Sequence, residues 1–524
     1  MSSKPALAVA RGSTYLIANS AVNMVVSIGA FAIIARIISP TQMGEVAVLL
    51  LITAGATLLG GLGVTSTATK FVASYNAMDK NEEMRCAGYG CLVICLLATA
   101  VIVGAIYLSA NMLAIFMFGD VSKANLLKLL TLEIVAVSVR NPLTGILTGL
   151  KRFKEISLTS VATFTARQLL VVALLGIGLG VPGMVIAWGV GDSLCSLALF
   201  IYTRKFLGPP RLHLGLMNLV SFSLPLLFGD AASYAWTWFD RALLIPTVTL
   251  AQLGAYNVAV TAFGILDSLP SSISGTLFPY YADFYPGGNG SSKTIDLENA
   301  VEKASRYLSF FTIPLSIGLA ATALPAATLL AGSDYAGAAY PLAVLSISLA
   351  IGCFVRALSQ IFVVLEKVAV SGIVSIASAA ISVLIGIATV HYLGILGASL
   401  ARGASLIIAL ALSLLFLRRM LKLRFDIGAY RSVWVAGLLM AGSVLIFQTL
   451  LYSKYLLPLY VAVGGLVFIL ALRPLHAVNQ EDIQLLSDFL NPKLRFIIEY
   501  LSKVVGVEKT RSYEKRFDGP SPNT

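Results

Sequence analysis

Arg36-Ile37-Ile38-Ser39-Pro40-Thr41-Gln42-Met43-Gly44-Glu45-Val46-Ala47 is a short polar turn set between two apolar runs. Gln42-Met43-Gly44 returns 210 residues later as Gln252-Leu253-Gly254, again joining one long apolar segment to the next. A second echo, 214 residues apart, pairs Gly180, Gly183, Ala187 and Gly189 with Gly394, Gly397, Ala401 and Gly403. Repetition at this period, with several apolar segments in the same order in each half, describes a duplicated helical body.

Hydrophobic residues make up 58% of the 524 and charged residues 12%, with a mean hydropathy of +0.87. A water-soluble chain of this length would need far more charge to cover its surface, so this is a polytopic membrane protein. Its apolar runs have the length that crosses a bilayer as helix and lack the alternation of an outer-membrane strand, which makes the fold all-α. Cys86, Cys91, Cys95, Cys195 and Cys353 lie in or beside apolar runs without a CxxC pair. They read as small packing residues, with no disulfide framework, metal site or cofactor expected. The first apolar segment, from about Thr14, is too long for a cleaved signal and is expected to be retained.

Runs bounded by charge or Gly/Pro turns predict about fourteen transmembrane helices. Six fall near 14–36, 44–68, 86–109, 126–149, 156–179 and 183–203, and six more near 218–240, 251–280, 304–328, 338–363, 368–391 and 396–417. Two further spans follow near 431–452 and 455–472. The expected organisation is a cytoplasmic N-terminus over 1–11, two pseudo-symmetric six-helix lobes over 12–210 and 211–425, two extra helices over 426–472 and a cytoplasmic amphipathic tail over 473–524. The basic residues of alternate loops, such as Lys80 and Arg85, Lys151 and Arg152, Arg204 and Lys205, and Arg418 and Arg419, place both termini in the cytoplasm of a plasma-membrane protein. The net charge of +12 therefore belongs to topology and to contact with anionic lipid, not to nucleic acid.

No Walker A loop, HExxH or nucleophile elbow occurs, and His213, His391 and His476 stand apart from one another. The chain is not expected to be an enzyme. Ionisable residues within spans are costly there and become the candidates. Arg140, Arg167, Arg356 and Arg402 would offer forked donors to the phosphate or pyrophosphate of an anionic head group. Glu133, Asp192, Asp230 and Asp267 would neutralise them or hold a coupling proton or sodium ion. Glu133 and Arg140, seven apart on one helix face, are expected to neutralise each other in the simplest structural reading. The spaced glycines of the second echo are read as close-packing positions.

The pattern from Ala35 and Arg36 through Ser39, Pro40 and Gly44 to Ala47 resembles the opening hairpin of the polysaccharide transporter family, within the multidrug/oligosaccharidyl-lipid/polysaccharide exporter superfamily. Leu393 to Ala401 is similar to that superfamily's repeated turn before the last helix of each half. The resemblance covers about residues 8 to 470. It implies two lobes alternating between inward-open and outward-open states, and a flippase carrying an undecaprenyl- or dolichyl-(pyro)phosphate-linked oligosaccharide to the outer leaflet. Membrane lipids and glycan-assembly enzymes are the implied partners. The stretch from Glu481-Asp482-Ile483 onward resembles archaeal members, which implies a dolichol carrier. Cations in a cavity are a general expectation of the family. The alternatives are a multidrug or metabolite cation antiporter of the same superfamily and a non-transporting scaffold for envelope biosynthesis.

Overall fold

The computed structural model of the chain describes residues 4–209, 216–283, 291–421 and 426–475. The first half contributes α1 (Lys4–Ile37), α2 (Pro40–Gly61), α3 (Val64–Ala77), α4 (Asn81–Leu108), α5 (Ala110–Phe118), α6 (Ala124–Gly149), α7 (Phe153–Gly176) and α8 (Gly180–Leu207). The second half follows with α9 (Leu216–Leu244), α10 (Leu250–Asp283), α11 (Ser291–Ala321), α12 (Ala323–Ala331), α13 (Ala339–Ile351), α14 (Val355–Val364), α15 (Val368–Leu393) and α16 (Ile395–Leu417), then α17 (Ile427–Leu450) and α18 (Leu457–Leu472). Among the described residues there is no strand. The expected amphipathic tail from Asn479 onward lies outside them, as does most of the loop beginning near Pro286.

Eleven of the described helices are long and apolar enough to cross a membrane, or twelve if α11 and α12, bent by 76° where they meet, form one span. Two more have spanning length, α6 with 26 residues and α10 with 34. The sequence expects unbroken helices over 44–68 and 338–363, and the structure interrupts both. Between α2 and α3, Leu62 and Gly63 take φ values of +46° and +73°, so the chain leaves the helical region where Gly60, Gly61 and Gly63 make departure cheap. A second interruption separates α13 from α14 at Gly352-Cys353-Phe354. The span expected over 304–328 is broken at Thr322, between α11 and α12, and in the first half a short helix, α5, follows the third span after Ser109.

The repeat heard in the sequence is a contact in space. Ser39 and Gln42 cap α2 reciprocally, with the Ser39 N–H donating to Gln42 Oε1 at 3.0 Å and the Gln42 N–H donating to Ser39 Oγ at 3.3 Å. Thr249 and Gln252 cap α10 in the same way, at 3.2 and 3.3 Å. These are the two orphan donors a capping box satisfies. The capped ends then cross. A Cβ on Gly44 would stand 1.9 Å from the Leu250 carbonyl oxygen, and a Cβ on Gly254 would stand 2.0 Å from that of Pro40. Only glycine lets the two backbones meet at this distance. The second echo is a turn in both copies, since Gly180 and Gly394 have φ of +56° and +53° just where α8 and α16 begin.

Packing divides the chain into two units. One runs to Ile265 and takes in Ala327–Pro341 and Ser375–Ser405; the other comprises Leu266–Ala326, Leu342–Val374 and the chain from Leu406 on. In the first, Val64, Ala68 and Val72 of α3 meet Cys91 and Cys95 of α4, Leu143 and Ile146 of α6, and Leu199 of α8 in a buried apolar cluster. In the second, Leu297 and Val301 of α11 pack with Leu358, Ile361 and Phe362 of α14 and with Leu417. All five cysteines are free thiols, four of them buried.

Candidate functional site

α6, α7 and α8 bring together four of the eight residues singled out from sequence. Asp192 on α8, buried, accepts from two guanidiniums at once: Arg140 Nη1 of α6 on Oδ1, and Arg167 Nη1 of α7 on Oδ2 at 2.7 Å. Glu133, also buried, lies with Oε1 4.0 Å from Arg167 Nη1. The pairing of Glu133 with Arg140 along one helix face is not the one adopted: Arg140 reaches across to α8, and Glu133 faces α7. Their common face is a property of α6, but the partner is chosen by the helices packed on it.

Gly191 makes the arrangement possible. A Cβ there would lie 2.6 Å from both Cβ and Cγ of Arg167, so the arginine stem lies against the bare backbone of α8 and its head reaches Asp192. Phe164 flanks the guanidinium, with its ring centroid 5.2 Å from Cζ. Two cations and two carboxylates balance. Two buried polar atoms, Glu133 Oε2 and Arg167 Nε, have no hydrogen-bond partner among the described residues.

Arg140, Arg167 and Asp192 line a cavity of about 400 Å³, together with Asn19 of α1, Thr65 of α3, Asn141 and Thr144 of α6, and Ser160, Thr163 and Phe164 of α7. Both guanidiniums are partly open, at 33% and 21% exposure. A guanidinium has five N–H donors, so binding to Asp192 leaves others for a ligand. The polar side chains from α1, α3 and α7 were not singled out in the sequence, because hydroxyls and amides in membrane helices are common and carry no charge to betray them.

The other candidates lie elsewhere. Arg402 of α16 donates through Nη1 to Asp240 Oδ2 at 2.6 Å. Asp240, at 0% exposure, also accepts from the Tyr256 hydroxyl at 2.5 Å. Arg241 donates to Asn257 Oδ1 at 3.3 Å and lies 4.7 Å from the Trp238 ring centroid. The Asn257 amide in turn points at Met43 Sδ of α2, 3.7 Å away. Of this network the sequence singles out Arg402 alone; the expected seventh span ends at 240 and leaves Arg241 outside it, whereas α9 continues to Leu244. The acid and base side by side at the end of an aromatic run, Trp236 to Phe239, were the available signal. Arg356 pairs with Asp267 through two guanidinium nitrogens, Nε donating to Oδ1 at 3.0 Å and Nη2 donating to Oδ2, and stays exposed. Asp230 is exposed on α9. Among the described residues, no three His, Cys, Asp or Glu side chains converge as metal ligands.

Comparison with known proteins follows the same line. The chain is 22% identical over 262 residues to a probable low-salt glycan biosynthesis flippase of Haloferax volcanii, covering 48% of this chain and 53% of that protein. It is 23% identical over 320 residues to a succinoglycan biosynthesis transport protein of Rhizobium meliloti, covering 60% and 61%. The chain thus spans between half and two thirds of the length of these relatives. Its fold is that of the lipid II flippase MurJ in an inward closed conformation, with a TM-score of 0.70 at 14% identity over 87% of this chain and 97% of that one. It is also that of a multidrug resistance MATE family transporter of the MOP superfamily in an inward-facing conformation, with a TM-score of 0.61 at 15% identity over 76% and 94%. The family described as polysaccharide biosynthesis protein matches residues 9–285, more than half of the chain, and the chain belongs to that family.

Proposed function

We propose that this protein carries a lipid-(pyro)phosphate-linked oligosaccharide from the cytoplasmic to the outer leaflet by alternating access, without catalysing a covalent step. Arg140 and Arg167, held by Asp192 at the wall of a polar cavity, are the observation that carries the reading. Asp192 fixes both guanidiniums in advance, so a head-group phosphate meets oriented donors and loses little on ordering them. The cavity accommodates a phosphate head and its first sugar, while the lipid tail stays in the bilayer. The names of the relatives, a glycan biosynthesis flippase and a succinoglycan transport protein, support the substrate class.

In this reading the lobes over 12–210 and 211–425 rock about the crossing of α2 and α10, with both termini in the cytoplasm of a plasma-membrane protein. Arg356 and Arg402 hold secondary positions on the substrate path. Charge balance gives the acids their part. Arg140 and Arg167 are already balanced by Glu133 and Asp192, so the head group they bind adds negative charge, and a proton or sodium ion on those acids restores neutrality. Asp230 and Asp267 are the further candidates for that ion, and glycan-assembly enzymes supply the cargo.

The parity of acids and arginines in the α6–α8 cluster favours a second reading, a cation antiporter, in which Asp192 at the cavity wall and Glu133 behind it bind the substrate. One experiment separates the two. Arg140→Lys and Arg167→Lys keep the charge and remove the fork, and are expected to slow transfer about ten- to a hundredfold, the worth of a charge-assisted hydrogen bond. Lipid-linked oligosaccharide then accumulates on the cytoplasmic face at unchanged protein level, and the corresponding variants of Arg356 and Arg402 show smaller effects. Unchanged transfer in cells lacking the protein, with loss of cationic-dye efflux, would move the antiporter ahead.

A further inference from the structure

A second concavity of about 580 Å³ lies between α4 and α6, lined by Leu96, Ala100, Val103, Gly104, Tyr107 and Val135, among others. Its α4 positions fall on one helix face, and none of these six side chains is ionisable apart from the tyrosine. Gly104 deepens it, since a Cβ there would meet nothing within 4 Å. From Leu96 to Leu108 the groove runs about 18 Å at the helical rise. One leaflet of a bilayer's hydrocarbon is about 15 Å deep. The groove therefore has the length of a lipid chain from a single leaflet.

Its upper end is charged. Lys128, seven residues before Val135 on the same face of α6, places Nζ 5.2 Å from the centroid of the Tyr107 ring, which lines the groove. Lysine and tyrosine within about a turn of their helix ends are what a membrane interface selects: the stems lie in hydrocarbon and the heads at the level of lipid phosphates. Glu133, the acid nearest in sequence on α6, is buried toward α7 and does not neutralise this lysine. Lys123, by contrast, is paired with Glu45 at 2.7 Å.

We infer that the α4–α6 groove is a binding site for one anionic phospholipid, its acyl chain along Leu96 to Leu108 and its phosphate on Lys128. The site is separate from the Arg140–Arg167 cavity, and the inference holds whatever that cavity transports. An anionic head group is attracted to Lys128, whereas a zwitterionic one brings its own cation and gains less.

The test uses the full-length protein in phosphatidylcholine vesicles containing a trace of phosphatidylglycerol with a photoactivatable group on one acyl chain. Label is expected on the tryptic peptide from Cys86 to Lys123, and unlabelled phosphatidylglycerol should compete about tenfold better than phosphatidylcholine, a preference of about 1.4 kcal/mol. Gly104→Leu, whose Cβ meets nothing within 4 Å, puts a side chain into the groove and should lower that labelling at least fivefold with an unchanged thermal midpoint. Lys128→Gln should abolish the tenfold preference, so that labelling by the phosphatidylglycerol probe falls about tenfold while a phosphatidylcholine probe with the same photoactivatable chain still labels the peptide. Equal competition by the two lipids in the wild type would overturn the inference, as would wild-type labelling of Gly104→Leu, or a preference that survives Lys128→Gln. A change of oligomeric state on Gly104→Leu would assign the groove to a second copy of the chain instead.

Discussion

Asp192 holds two guanidiniums, and the residue before it decides whether one of them can reach. Because the Arg167 stem lies on the bare backbone of Gly191, a methyl group there has no flexible chain end to push aside; it meets Cβ and Cγ. Gly191→Ala is therefore expected to cost about 1–3 kcal/mol by overpacking and to shift Arg167 off Asp192. Gly176→Ala at the end of α7, where a Cβ meets nothing within 4 Å, should be neutral or mildly stabilising. Thermal melts of the two variants, with transfer measured alongside, check this; equal melting would mean that the contact yields. At this scale the sequence reveals which residues matter and hides how they pair. Arg140, Arg167, Asp192 and Glu133 stand out because charge within a span is costly. Their pairing depends on how α6, α7 and α8 are rotated against each other, which a single sequence does not encode. Arg402 shows the same limit, since its partner Asp240 is the last residue of the expected seventh span and nothing in the sequence turns α16 toward it.

The helices carry their own instructions at the ends. The capping pairs Ser39–Gln42 and Thr249–Gln252 start α2 and α10 in the same way, which is why the echo was audible in the residues. The breaks were harder to hear. An apolar run through Gly60-Gly61-Leu62-Gly63 keeps the hydropathy of a continuous span, and only the left-handed backbone at Leu62 and Gly63 interrupts it. The crossing of α2 and α10 gives this scale its prediction. Gly44→Ala and Gly254→Ala each force the same two backbones apart, against Leu250 and Pro40 respectively. Each is expected to cost about 1–3 kcal/mol, and the double variant to cost less than their sum by about 1 kcal/mol or more, because the first substitution has already made the room. Unfolding midpoints of the four proteins close the cycle, and strict additivity would mean that the two contacts yield independently.

Across the whole molecule, composition alone dictated a helical membrane protein, and the period of the echoes dictated its duplication. Where the charges sit sets an expected orientation that impermeant labelling can check. In a Cys86→Ser background, cysteine at Asp79, an exposed turn before α4, should resist an impermeant maleimide added to intact cells, while cysteine at Ser122, exposed before α6, should react. The opposite pattern would invert the topology. The duplication leaves one more mark on the chain. At the α2–α10 crossing Gly44 meets Leu250 and Gly254 meets Pro40, so residue i touches j and the copy of i touches the copy of j. That is the rule of an isologous homodimer interface, here written within one polypeptide. The two halves meet there as one surface meets its own twin, and a change in either copy alters half of a contact whose other half must still fit.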